Sequence, residues 1–185
     1  IRHPSLLAAY LQRQKNSILD ASGAKTLAAS LELKIENLVT EDRRNKWLEL
    51  QAQKTSGQTG TVGCVVHGLE KTLIAVTSTG GVGNETVGRL GDTPTIAGNY
   101  ASKMVAASFT CVGEKIIALG GAAKLCLLAE QFQDLQKAAE IFLEEAQDQH
   151  AILGFVALMK HPEHIQYVAD RTSPSMIWSL FDGEK

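Results

Sequence analysis

Nothing in this 185-residue chain approaches the roughly 18 consecutive apolar residues of a membrane-spanning helix. Positive charge is not in excess either, since 18 Lys and Arg stand against 20 Asp and Glu for a formal net charge of −2. Without a basic stripe there is no electrostatic footprint for nucleic acid or an anionic membrane surface, and neither is expected as a partner. Cysteine is scarce. Cys64, Cys111 and Cys126 are odd in number and have no framework spacing. This excludes a disulfide-stapled domain and, with no signal-peptide pattern at the start, fits a reducing cytoplasm. The glycine run Gly80-Gly81-Val82-Gly83-Asn84 lacks both the lysine of a phosphate-binding loop and the spacing of a dinucleotide fingerprint. His161 and His164 flank Pro162 without a third ligand in sight, so a turn is expected there and no metal site. No cofactor is expected.

What is present is the composition of one soluble globular domain with a sizeable core, 44% hydrophobic and 21% charged. Pro4 opens a run with apolar residues at helical spacing, Leu6, Leu7, Tyr10 and Leu11. Residues 17–20 are a short strand candidate, 21–31 a second helix, and 47–53 part of a third. The polar stretch 54–60 has the composition of a linker. Two β-branched runs, 62–67 and 72–79, are separated by Gly68-Leu69-Glu70-Lys71 and predict a hairpin. A strand is expected over 104–111, and one helix over 114–131 whose Gly120-Gly121 implies close packing against a neighbour. Asp134 caps a helix running to about residue 149, and a second hairpin covers 153–159 and 164–170. Helices, strands, helices, then strands predict a layered α+β sandwich.

The chemistry concentrates in residues 60–92. Gly60-Thr61-Val62-Gly63 is followed by Thr77-Ser78-Thr79-Gly80-Gly81 and then Gly88-Arg89-Leu90-Gly91-Asp92. Read plainly, Thr61 marks a turn into a strand. A threonine hydroxyl needs a neighbouring base to become a nucleophile, and a free α-amino group with a pKa of about 7.7–8.0 is one. Within an intact chain the Thr61 nitrogen is an amide, so it can serve only after the 60–61 bond breaks. Gly60 suits such a break, because a residue without Cβ tolerates strained angles and leaves its carbonyl open to the Thr61 hydroxyl. The bland alternatives are a solvent-exposed Arg89–Asp92 turn pair, worth about 0–1 kcal/mol, and a small buried cysteine at Cys111. Glu140, Glu144, Glu145 and Asp148 read as a solvated helix face.

Taken together, Gly-Thr-Val-Gly, Thr-Ser-Thr-Gly-Gly and Val-Gly-Arg-Leu-Gly-Asp-Thr-Pro resemble the plant-type L-asparaginase and isoaspartyl peptidase family of N-terminal-nucleophile hydrolases. Ala97-Gly98-Asn99-Tyr100-Ala101 and Thr172-Ser173-Pro174-Ser175-Met176 follow in the family's order, so the motifs stay in register over more than a hundred residues. The resemblance implies an αββα sandwich in which 1–60 is the later part of an α subunit with its linker and 61–185 the β subunit. It implies autocleavage between Gly60 and Thr61, with Thr61 as nucleophile, Thr79 beside it and Thr110 stabilising the oxyanion. Arg89 would bind the substrate's α-carboxylate and Asp92 its α-ammonium, with Cys111 and Gly113 lining the pocket. The implied reaction is hydrolysis of asparagine or a β-aspartyl dipeptide through an acyl-enzyme, by a homo-oligomer of processed units.

Two departures accompany the match. Thr110-Cys111-Val112-Gly113 stands where the family usually has Thr-Gly-His-Gly. The family's opening His-Gly-Gly strand, its Asn-Ala-Gly segment and the loop that often holds sodium in related enzymes are not in these residues, so the expected sandwich is partial and a bound ion is not predictable from them. Glycosylasparaginase- or taspase-like hydrolases and a non-catalytic homologue acting as a structural or interaction protein are the alternative readings.

Overall fold

The structure is a computed structural model that describes residues 1–53 and 60–183. The expected linker over 54–60 therefore falls, except for Gly60, outside the described residues. The chain divides into two compact units, Ile1–Lys54 and Thr55–Lys185.

The first unit is helical. α1 (Pro4–Leu11) carries its proline in the first turn, where no intrahelical N–H is needed. α2 (Ala21–Ser30) is capped by Asp20, whose carboxylate accepts from the Gly23 N–H at 2.6 Å. α3 (Glu41–Gln53) opens with Glu41 and Asp42 and buries none of its residues. The strand expected over 17–20 does not form. Among the described residues both sheets lie in the second unit, so this run has no ladder to join, and Asp20 serves the helix instead. Only Leu7 and Ala28 are buried among the described apolar residues of this unit, so its core is thin.

The second unit holds the core. β1 (Val62–His67) and β2 (Leu73–Ser78) form the expected hairpin, in a register that sets Val62 opposite Ser78. β3 (Asn99–Ala101), β4 (Val105–Cys111), β5 (Leu153–Lys160) and β6 (Ile165–Arg171) make an antiparallel four-stranded sheet in chain order. β4 alternates. Val105, Ala107 and Phe109 join the core, which is built with the helices, while Ser108 turns to the hairpin and hydrogen-bonds Thr77 at 2.6 Å. α5 (Gly121–Phe132) and α6 (Leu135–Asp148) cover the core face. There Phe109 stacks on Phe155 at 5.0 Å and meets Phe142 edge-on at 5.3 Å. The second unit is thus layered hairpin, sheet, helices, an α+β arrangement.

One helix was expected over 114–131; the structure has two. α4 (Gly113–Leu119) ends at Gly120, whose φ of 73° is left-handed and halts the i to i−4 ladder before α5 begins. Gly121 then packs so closely that a Cβ there would collide with the Ala97 carbonyl oxygen. That is the close neighbour the glycine pair implied. Asp134 caps α6 as expected, accepting from the Gln136 and Lys137 N–H groups. His161 and His164 stack at the β5–β6 turn with ring centroids 4.5 Å apart. No helix among the described residues is long and apolar enough to cross a membrane.

Candidate active site

The β1–β2 register brings the two hydroxyls together. Thr61 immediately precedes β1 and Thr79 immediately follows β2, so pairing Val62 with Ser78 leaves the two threonines side by side. Thr61 Oγ1 donates to Thr79 Oγ1 at 3.2 Å, and Thr79 Oγ1 also accepts from the Gly81 N–H at 3.1 Å. A backbone donor thereby orients Thr79, and Thr79 in turn orients Thr61. Gly60 is exposed, lies outside the left-handed region, and has no described atom within 4 Å of where a Cβ would stand.

Thr61 and Thr79 sit at a cleft of about 240 Å³ that is also lined by Glu85, Arg89, Asp92 and Cys111. That volume lies below the roughly 300–1,000 Å³ of drug-sized pockets and suits a ligand of amino-acid size. Thr110 and Gly113 are not among the lining residues. Thr110, one residue before Cys111 on β4, pairs with Gly154 of β5. Gly113 stands behind Asp92, where a Cβ would come within 2.7 Å of Asp92 Oδ1, so the close approach requires glycine.

Arg89 and Asp92 are not an exposed turn pair. Asp92 is only 6% exposed, and the Arg89 side chain 20%. The Arg89 guanidinium is held in a fork by Glu114, Nε donating to Oε1 at 2.6 Å and Nη2 to Oε2 at 2.9 Å. On its other side Nη1 lies 3.5 Å from Glu85 Oε1, and that same oxygen accepts from the Val82 N–H. The Glu114 hydrogen bond raises the Arg89 pKa and, reciprocally, holds the Glu114 carboxyl below the usual carboxylate range. Burial pushes the Asp92 carboxyl up, against the lowering effect of backbone N–H donors and of Arg89. Among the described residues, Asp92 Oδ2 and Thr93 Oγ1 are buried without a hydrogen-bond partner. The loop carrying them is fixed from two sides, by the Thr95 N–H and hydroxyl on the Asp92 carbonyl and by Asn99 Nδ2 on the Thr93 carbonyl.

Sequence reasoning missed Glu85 and Glu114 as members of this cluster. Spacing hinted at one, since Glu85 lies four residues before Arg89; nothing local pointed to Glu114, 25 residues beyond it. Cys111 has φ 97°, a left-handed value that favours glycine. The structure thus gives the departure from the family's glycine a conformational meaning. Among the described residues no group of three or more His, Cys, Asp or Glu is placed to hold a metal ion.

Antiparallel sheets packed with helices are consistent with the α+β fold of N-terminal-nucleophile hydrolases. More narrowly, the family model described as Asparaginase matches residues 1–185, and the chain belongs to that family. It is 34% identical to the isoaspartyl peptidase/L-asparaginase of Synechocystis sp., a match covering 99% of this chain and 59% of the relative. The human protein of the same name is 34% identical over 91% of this chain and 58% of its own length. A plant-type L-asparaginase from Pyrococcus abyssi is 29% identical, covering 90% and 64%. The chain therefore spans less than two thirds of the curated relatives it matches.

Proposed function

We propose that the chain is the nucleophile-bearing part of an autocleaving amidohydrolase that acts on L-asparagine, β-aspartyl dipeptides or both. The observation that carries this reading is the Thr61–Thr79 hydroxyl pair, at 3.2 Å, on a cleft that Arg89 and Asp92 also line. The names of the relatives support the substrate class.

In the proposed sequence Thr61 Oγ1 attacks the Gly60 carbonyl carbon. The peptide C–N bond breaks as an ester to Oγ1 forms, and water then hydrolyses that ester. The product is a free α-amino group on Thr61, able to take the hydroxyl proton in the next reaction. Arg89 binds the substrate's α-carboxylate, while Asp92, whose Oδ2 has no hydrogen-bond partner among the described residues, receives the α-ammonium. The side-chain carbonyl then lies against Thr61, with Thr110 as the candidate oxyanion donor at the end of β4. Ammonia, or the amino acid of a dipeptide, leaves with the proton taken from Thr61, and water releases aspartate from the ester. The site residues, the division at 60–61, assembly as a dimer of processed units and residence in a reducing cytoplasm all belong to this proposal.

Incubating the purified chain and its Thr61→Ala variant at neutral pH tests it, by intact mass, N-terminal sequencing and ammonia release from asparagine. A new amino terminus at Thr61 that the variant lacks, together with turnover confined to the cut protein, is the expected result. Retained turnover in Thr61→Ala would refute the assigned nucleophile.

A further inference from the structure

The fork that the proposed function assigns to the substrate's carboxylate already holds two carboxylates of the protein. They are not equivalent. A guanidinium has five N–H donors. Glu114 takes the Nε–H and one Nη2–H, at 2.6 and 2.9 Å. The edge formed by Nη1 and the second Nη2 hydrogen is left, and it is the edge on which another planar carboxylate can dock with two parallel bonds. Glu85 lies on the Nη1 side, with Oε1 3.5 Å from Nη1. That distance is within ion-pair range but beyond the roughly 2.7–3.2 Å of an N–H···O hydrogen bond. Its Oε1 is committed elsewhere, to the Val82 N–H in the glycine loop after Thr79. Glu85 and Arg89 line the cleft, whereas Glu114 is not among its lining residues.

We propose that Glu85 is a resident carboxylate on the open edge of Arg89, which the α-carboxylate of an amino-acid substrate must displace, and that Glu114 is the positioning residue that keeps this edge turned to the cleft. The inference rests on the proposed function, because it concerns the same site. Glu85 sets affinity and selects ligand charge. With Glu85, Glu114 and Asp92 around Arg89, a ligand that brings an ammonium with its carboxylate offsets the acidic surplus among the described residues. A dicarboxylate without the ammonium does not. The site thus favours the zwitterionic end of an α-amino acid over a simple diacid.

The test is calorimetric binding of L-aspartate and of succinate to the wild-type chain, Glu85→Gln and Glu85→Asp, with asparagine hydrolysis measured alongside. Glutamine keeps an oxygen for the Val82 N–H, and an unfolding midpoint within error of wild type establishes that the loop is intact. Exposed and half-exposed ion pairs are worth about 0.2–1 kcal/mol, so Glu85→Gln should bind aspartate about 1.4- to fivefold more tightly. Discrimination against succinate should shrink. Glu85→Asp, which keeps the charge but shortens the reach, should resemble Glu85→Gln if the contact matters; behaviour identical to wild type would reduce the effect to long-range charge and overturn the displacement. A purely structural Glu85 predicts weaker binding in both variants. If wild type binds aspartate and Glu85→Gln binds it no better, this inference falls and the proposed function stands. If neither protein binds aspartate or releases ammonia, both fall together.

Discussion

Cys111 is the residue at which the fold and the sequence disagree most, and replacing it with glycine separates their contributions. At φ 97° its backbone lies where a Cβ is strained, and a non-glycine residue held in such a region costs on the order of 1–3 kcal/mol. Glycine removes that cost but adds conformational freedom to the unfolded chain, which destabilises by about 0.5–1 kcal/mol. The half-buried thiol contributes some packing that glycine also loses. The balance is a net gain of about 1 kcal/mol for Cys111→Gly, or roughly 2–4 °C in Tm for a chain of this size. Cys111→Ala is the informative control, because it deletes the sulfur yet keeps the Cβ and so keeps the strain. Urea and thermal unfolding of the three proteins under reducing conditions should rank glycine above cysteine, with alanine no more stable than wild type. A glycine variant no more stable than the alanine variant would show that the left-handed backbone at Cys111 stores no strain, and the account of this position would be refuted.

Two further outcomes follow from burial. The Cys126 thiol is pushed up to about 12, chiefly by burial and secondarily by Glu130, so at pH 8 only about one molecule in ten thousand carries the thiolate there. Alkylation of the native chain read by mass spectrometry should therefore mark exposed Cys64 first and leave Cys126 unmarked until denaturant is added; rapid native labelling of Cys126 would contradict its burial. The second outcome concerns Asp92, whose carboxyl is raised above 3.8 by burial. A carboxyl raised in the folded state contributes stability that is full below the unfolded pKa and is lost as pH rises through the folded value. Asp92→Asn removes the buried charge, so the variant should gain stability relative to wild type at pH 7 and lose that advantage below pH of about 3.8. It should also lose aspartate binding, because the amide cannot pair with an ammonium. A variant less stable than wild type at neutral pH would show that the Asp92 charge is satisfied within the fold.

Those positions differ in how far the sequence exposes them. Hairpin β1–β2 was legible because two β-branched runs flank a glycine-containing turn, and once it is drawn, the adjacency of Thr61 and Thr79 follows from register alone. The cap at Asp134 was legible for a similar reason, since the chemistry is local. The break at Gly120 was not, because the apolar spacing of Ile116, Leu119, Ala122 and Leu125 runs through it and only the left-handed φ interrupts the helix. β3 is three residues long and owes its place to pairing with β4, which no local pattern encodes. In the site, Arg89 was legible as a residue type while its actual partners were not. Glu114 reaches it across 25 residues of chain, and Glu85, though four residues away, does so from a loop where helical spacing rules do not apply. Cys111 shows the same limit, since its residue type reveals the departure from glycine, but the strain depends on a dihedral that only the assembled strand end imposes.

The cleft also bears on why a cut chain is needed for the proposed chemistry. Its described lining contains four ionisable side chains, Glu85, Arg89, Asp92 and Cys111, and neither histidine nor lysine. Arg89 stays protonated at any working pH, and its pKa is raised further by Glu114. Glu85 Oε1 is committed to the Val82 N–H, and Asp92 lies buried against Gly113. Thr79, the group in hydrogen-bond contact with the Thr61 hydroxyl, is itself a neutral hydroxyl and too weak a base to accept the proton. Under the proposed function the arrangement supplies orientation, a Thr61 oxygen held by Thr79 with Arg89 and Asp92 as anchors for a substrate's two charged ends. Under the proposed function the base comes from the nucleophile's own residue. Breaking the 60–61 bond creates one, with a pKa of about 7.7–8.0, on the same residue as the oxygen it must activate. An intact chain would then bind an amino acid yet turn over an amide slowly, and cleavage would change the rate of hydrolysis far more than the affinity for aspartate.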